Sequence, residues 1–115
     1  MNPGFSVLFM EPARNFLSGL SQDVRIKILF NIDKSRILHD PKLFKKLNDE
    51  IWEFRTNHQG IQFRLLAFWD KSETTKTLVI ATHGFIKKTE RVTPSELNRA
   101  SHLRKRYFTH KMNGQ

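Results

Sequence analysis

Hydrophobic and polar positions along this chain change period several times, and each change predicts an element. Between Ile51 and Lys88, three runs rich in β-branched and aromatic residues (51–56, 61–69 and 77–86) are separated by polar turn residues. That is the pattern of an antiparallel meander. The first turn centres on Gln59-Gly60. As a two-residue loop it sets Arg55 opposite Arg64, Phe54 opposite Leu65 and Trp52 opposite Ala67. Side chains alternate along a strand, so Trp52, Phe54, Phe63, Leu65 and Ala67 share an apolar face. Glu53, Arg55, Arg64, Leu66 and Phe68 share the other. The register across the 70–76 turn stays open. Pairing Asp70 with Thr77 puts His83 opposite Arg64, on the polar face, and a slip of one residue sends it to the opposite face. Gly84 inside the third run predicts a bulge or a close backbone approach.

Upstream, residues 5–10 form a short apolar run, expected as a strand buried on both faces. Glu11-Pro12 then suits a helix start, because proline is tolerated in the first turn. Phe16, Leu17 and Leu20 supply its apolar side, and Gly19 marks its end. Ser21 is a good N-cap for a second helix, with Asp23 in its first turn. Val24, Ile28 and Ile32 recur at helical spacing, flanked by Ile26, Leu29 and Phe30. This predicts a wide apolar face packed on a sheet and, with the first helix, a helical hairpin. Residues 35–50 are polar and irregular, with a turn at Asp40-Pro41. Lys42, Lys45 and Lys46 surround Leu43, Phe44 and Leu47 there, as a helical turn or a solvated approach to the sheet. Downstream, Thr93-Pro94-Ser95-Glu96 is a capping box with proline at the first helical position. The helix it opens should run to about residue 110. Leu97, Ala100, Leu103, Tyr107 and Phe108 give its apolar side. Arg99, His102, Arg106 and His110 form a basic stripe flanked by Arg104 and Lys105.

These elements make a single α+β domain over residues 1–115. Ten Phe and two Trp within 38% hydrophobic content fit a packed core rather than disorder. The absence of cysteine excludes disulfides and thiolate metal sites and fits a reducing compartment. No apolar run approaches the roughly 20 residues needed to span a bilayer. The N-terminal stretch lacks the basic region and length of a secretory signal.

Charge alters the picture more. The net charge is +9, and residues 86–115 carry eight Lys/Arg against two Asp/Glu, whereas residues 1–54 carry eight against seven. Such asymmetry points to a polyanionic partner or to a soluble basic tail. The opposed pair Arg55 and Arg64 repel unless a carboxylate, solvent or a bound anion relieves them. Glu53 is placed to neutralise them in part. The pair is therefore either a solvated cluster with one ion pair or a phosphate platform, for which the planar guanidinium is well suited. The third run leads straight into Lys87-Lys88, and packing these near Arg55 and Arg64 would favour the neutral form of one lysine and make it a base. The five histidines show no close metal-ligand spacing. Gly-rich phosphate loops and nucleophile elbows are absent. RNA carries its own nucleophile, so a protein that aligns the phosphate, neutralises transition-state charge and moves protons needs no metal to cleave it.

The segments I-W-E-F-R (51–55), Q-F-R-L-L-A-F-W (62–69) and H-G-F-I-K-K-T (83–89), followed by the T-P-x-E-L helix start (93–97), resemble the RelE/ParE toxin superfamily, and within it the phage-derived, HigB-like branch. The likeness spans residues 5–108. It implies a RelE-like fold: an N-terminal strand, a helical hairpin, an antiparallel sheet meander and a C-terminal helix. It also implies a cytoplasmic toxin of a type II toxin–antitoxin system: an mRNA interferase, cleaving messages on the ribosome by 2′-hydroxyl attack without metal or other cofactor. The implied partners are mRNA on the ribosome and a helix-turn-helix, HigA-like antitoxin, with no membrane. On this resemblance Arg55, Arg64, Lys87 and Lys88 are the catalytic candidates, with His83 and Tyr107 beside them and Glu53 orienting Arg55. Arg99, His102, Arg104, Lys105, Arg106 and His110 are RNA-binding candidates. A ParE-like gyrase inhibitor and a non-catalytic nucleic-acid-binding module are the competing functions.

Overall fold

The turn at Gln59-Gly60 forms as its residue types require. Both residues adopt positive φ, 51° and 81°, the mirror-image turn whose twist suits a two-residue hairpin. In the computed structural model, which describes residues 4–72 and 77–113, this hairpin joins β3 (Trp52–His58) to β4 (Ile61–Asp70). Arg55 pairs with Arg64, Phe54 with Leu65 and Trp52 with Ala67, the register expected from the loop length. The next strand, β5 (Leu78–Lys87), is antiparallel to β4. Part of the connection expected over 70–76 lies outside the described residues.

Two strands extend the meander into a five-stranded mixed sheet of order β1-β5-β4-β3-β2. β1 (Ser6–Phe9) runs parallel to β5. It is an edge strand, with Ser6 and Leu8 exposed, so the expected burial on both faces is incorrect. β2 (Phe44–Lys46) is antiparallel to β3 at the opposite edge. The sequence pattern anticipated no strand there. Three residues are too few for an alternation to stand out from the surrounding lysines.

The helices cover both faces. α1 (Glu11–Ser18) and α2 (Gln22–Ser35) lie on the face carrying Phe54, Phe63, Leu65 and Ala67. Gly84 on β5 admits the Phe16 ring of α1, because a Cβ at that position would collide with it. Lys27 Nζ donates to the Asn57 carbonyl at 2.8 Å and Asn31 Nδ2 to Thr56 Oγ1 at 3.1 Å, tying α2 to β3. The apolar face of α2 is narrower than expected. Ile28 and Ile32 are buried, while Ile26, Leu29 and Phe30 face solvent. α3 (Pro94–Asn113) packs through Ala100 and Leu103 on the other face, over Leu66, Phe68 and Ile80. It covers only part of that face and leaves the hairpin end open to the charged residues described next.

β5 carries one extra residue. Ala67 pairs with Ala81, but Leu66 pairs with His83, so Thr82 is a bulge. Asp70 pairs with Leu78 rather than Thr77. Continued without interruption, that register would turn His83, Phe85 and Lys87 to the α1–α2 face. The bulge restores them to the α3 face.

Candidate functional site: a cationic cluster on the open sheet face

Strand alternation converges the charged side chains. Lys45 on β2 pairs with Glu53 on β3, Arg55 pairs with Arg64, and Gln62 pairs with Lys87. Lys45, Glu53, Arg55, Gln62, Arg64 and Lys87 therefore occupy one patch of the face that α3 leaves uncovered. Glu53 is the carboxylate that mediates between the two guanidinium groups. Its Oε2 lies 3.5 Å from Arg55 Nε and its Oε1 3.4 Å from Arg64 Nε.

The two arginines are not equivalent. Arg64 is 2% exposed. It donates from Nη1 to the Phe63 carbonyl at 3.0 Å and from Nη2 to Gln62 Oε1. Burial lowers its pKa, Glu53 opposes that and Arg55 adds to it; a guanidinium nevertheless stays charged. The resemblance assigns Arg64, like Arg55, to phosphate and transition-state stabilisation. In this arrangement it is a buried charge beneath the surface of the patch. Arg55 remains 28% exposed in its side chain and donates from Nη1 to the Pro41 carbonyl at 3.2 Å. Lys87 is half-buried. Desolvation first, then Arg64, Arg55 and Lys45, push its ammonium below the ordinary lysine value, against the pull of Glu53.

Three buried polar atoms in this patch make no hydrogen bond: Glu53 Oε1, Arg55 Nε and Arg64 Nε. Their ion contacts are too long or too poorly aligned to count as such. Buried donors in this condition call for an explanation. Strong acceptors such as phosphate oxygens are what guanidinium donors are shaped for.

The remaining candidates separate. His83 faces Leu66 rather than Arg64 and is fully buried. Its Nε2 lies 2.9 Å from Glu96 Oε1 and its Nδ1 3.0 Å from Thr82 Oγ1. Burial depresses its pKa, Glu96 opposing and Arg99 assisting. Nε2 faces the Glu96 carboxylate and Nδ1 the Thr82 hydroxyl, which itself donates to the Leu66 carbonyl at 3.2 Å. His83 thus fastens the first turn of α3 to β5, a structural histidine rather than a member of the cationic patch. Glu96, the acid of the capping box, is spent on this contact. Only its backbone N–H reaches Thr93 Oγ1, at 3.4 Å.

Tyr107 is also misplaced by the sequence reading. Its hydroxyl donates to Asp70 Oδ2 at 2.6 Å, at the end of β4 remote from the hairpin turn. Lys111 Nζ reaches the same oxygen at 2.7 Å, and Ser72 donates to Asp70 Oδ1 from N at 2.9 Å and Oγ at 2.5 Å. Asp70 is held well below the usual carboxylate range by Lys111, Ser72 and Tyr107, in spite of the opposing and larger effect of burial. Tyr107 is pushed far above the usual phenol value by burial and by Asp70. Near neutrality Asp70 is therefore ionised and Tyr107 protonated, and each is engaged by the other.

On α3, Arg99, His102, Lys105, Arg106 and His110 are exposed as the stripe predicts. Arg104 is engaged with Glu50 at 3.3 Å and lies over the Phe108 ring. Lys88 is exposed just beyond β5. The residues that sequence reasoning missed are Lys45, treated as scaffold because β2 was not anticipated, and Gln62. Asp70, Ser72 and Lys111 were missed as well. Tyr107 and Lys111, four apart on one helix face, were the available sign of a shared partner. Among the described residues no group of His, Asp and Glu is arranged to hold a metal ion, and no helix is long and apolar enough to cross a membrane.

No curated protein matches the chain. The profile of the family described as Phage derived protein Gp49-like (DUF891) matches residues 15–105, a span that includes the second half of α1, all of α2, strands β2–β5 and most of α3. With the cationic patch and the RelE-like arrangement of strands and helices, that match places the chain in the phage-derived Gp49-like family, toxin-like proteins related to the RelE and HigB types.

Proposed function

We propose that this protein is the toxin of a type II toxin–antitoxin pair and acts as a ribosome-dependent, metal-independent mRNA endonuclease. The observation that supports this most is the patch itself: Lys45, Arg55, Arg64 and Lys87 gathered around the single carboxylate Glu53, with guanidinium donors left unsatisfied. In this scheme Arg55 and Lys45 hold the scissile phosphate. Arg64, buried below, supplies fixed positive charge for the phosphorane-like transition state, where low dielectric strengthens its effect. Lys87, with its lowered basicity, takes the proton from the 2′-hydroxyl. The 2′-oxygen attacks phosphorus, the bond to the 5′-oxygen breaks, and that oxygen leaves with a proton from water. The products are a 2′,3′-cyclic phosphate and a 5′-hydroxyl. Exposed Arg99, His102, Lys105, Arg106 and His110 extend positive charge along α3 for the RNA backbone.

The test is expression of the chain alone, with protein synthesis and the ends of cellular messages followed together. Arrest accompanied by cut messages is expected. Arg55→Ala with Lys87→Ala should remove both effects by at least about 100-fold, the scale of general-base loss, with circular dichroism unchanged. A Lys87→Arg variant should keep RNA affinity and lose the rise of rate with pH, because only a neutral amine accepts the proton. Intact messages with induced DNA damage would replace this function with gyrase inhibition. A folded double variant as toxic as wild type would refute the residue assignment.

A further inference from the structure

The apolar face of the sheet is not sealed by α2. Beyond its C-terminal end, Phe5, Leu38, Phe44, Trp52 and Trp69 line a pocket of about 420 Å³, within the range typical of binding sites, roughly 300–1000 Å³. The aromatic rings contact one another there: Phe44 stacks on Trp52 at 4.8 Å, and Trp69 meets Trp52 and Phe5 edge-on at 5.8 and 5.1 Å. Ile37 and Leu38 continue the apolar surface outward at 61% and 46% exposure. Lys46 lines the pocket and Lys42 follows the lining residue Pro41 in sequence, and neither lysine forms an ion pair among the described residues. Asp40, the one carboxylate in the lining, accepts a hydrogen bond from the backbone N–H of Lys42.

This pocket opens on the opposite face of the sheet from the cationic patch, with Lys45 at the β2 edge bordering both. A patch for RNA would combine stacking surfaces with a continuous phosphate track. Here the walls are apolar and recessed, and the cations stand only at the rim. A recessed apolar pocket ringed by unpaired lysines suits a large apolar anchor residue on a segment that is otherwise acidic.

We infer that this pocket is the docking site for an acidic, amphipathic segment of the antitoxin, one apolar side chain entering between Trp52, Trp69 and Leu38 and carboxylates meeting Lys42 and Lys46. The partner's identity rests on the toxin reading; the shape and charge of the pocket do not. Family membership implies an antitoxin partner in general, and the net charge of +9 favours an acidic one.

Trp52 and Trp69 are the chain's two tryptophans and line this pocket and an adjoining recess beside Asp49, Glu50 and Arg104, so their emission reports on this edge of the sheet, and Leu38, which lines only the pocket, separates the two. The experiment titrates the full chain with the purified protein encoded by the adjoining reading frame, following tryptophan emission after subtraction of the partner's signal. Wild type should show saturable binding with a shifted emission. Leu38→Glu with Lys46→Glu, both at exposed positions, should bind at least tenfold more weakly and melt as wild type does. Arg55→Ala with Lys87→Ala should bind as wild type. Equal binding by the Leu38/Lys46 variant, unchanged emission on binding, or no binding by the adjoining-frame protein would each overturn the proposal. So would an emission shift driven by a single-stranded RNA oligonucleotide and not by the protein. Toxicity of the chain expressed alone is scored separately and needs no partner, so failure of the nuclease reading is distinguishable from failure of the docking site.

Discussion

Two buried carboxylates sit on β-strands of this sheet, Glu53 met by two charged side chains and Asp70 by three polar or charged ones, and they are built to opposite standards. Asp70 is 1% exposed and Glu53 2%. Asp70 accepts four hydrogen bonds, from Ser72 N, Ser72 Oγ, Tyr107 Oη and Lys111 Nζ. Glu53 has two ion contacts of 3.4 and 3.5 Å, and its Oε1 and both facing Nε atoms lack a hydrogen bond. Saturation identifies a structural fastening. It holds the last turns of α3 to the end of β4. Incomplete satisfaction of buried polar atoms is costly in the resting protein, and it is this cost that the proposed anion would relieve at Glu53, Arg55 and Arg64.

Stability measurements with and without inorganic phosphate separate the two. The largest loss is expected for Asp70→Ala, which strands the Tyr107 hydroxyl and the Lys111 ammonium. Removing one member of a buried pair costs about 3 kcal/mol, at the low end of its range because Lys111 keeps about a third of its side chain in water. The melting temperature should fall by roughly 10 °C, and phosphate should stabilise the variant no more than it does wild type. Glu53→Gln should cost about 2 kcal/mol by leaving the two guanidinium groups to repel. Phosphate should stabilise this variant more than wild type; a tenfold excess over Kd returns about 1.4 kcal/mol. An equal phosphate effect in the two carboxylate variants would erase the distinction.

His83→Gln gives a smaller loss, about 1 kcal/mol at pH 7 for the contact with Glu96, and alters the pH dependence. His83 is depressed in the fold, so the unfolded chain binds the proton more readily and acidification favours unfolding. Its contribution is complete above the unfolded value near 6.5 and declines as pH falls below it. The variant should lack that decline in chemical denaturation run between pH 7 and 5. Lys87→Ala is expected to have the smallest effect on stability, within about 0.5 kcal/mol, since it removes a crowded cation. It should nonetheless reduce the phosphate stabilisation seen in wild type.

How much of this was legible in the sequence depended on the range of the determining contact. The 55–64 register followed from a two-residue turn, a local feature, and proved correct. The helical hairpin and α3 followed from periodicity and end signals. Burial did not follow. Nothing in the local pattern distinguishes Arg64 from Arg55, because which one is covered depends on neighbours at Phe63 and Gln62 and on the sheet as a whole. Tyr107 looked like a free phenol because its acceptor, Asp70, is 37 residues away. β2 was missed for the same reason: its strand conformation comes from pairing with β3 rather than from its own residues. The basic stripe of α3 was visible, but the diversion of Arg104 to Glu50 was not.

The bulge at Thr82 makes the composition of the site a matter of counting. Pairing this strand straight through at its present length would carry Phe85 and Lys87 to the α1–α2 side of the sheet, with no substitution in either. Removing Thr82 instead would close the ladder and leave Phe85 opposite Arg64 and Lys87 opposite Gln62. The extra residue is thus a spacer: the groups offered on the open face depend on whether it is looped out, not on their own chemistry.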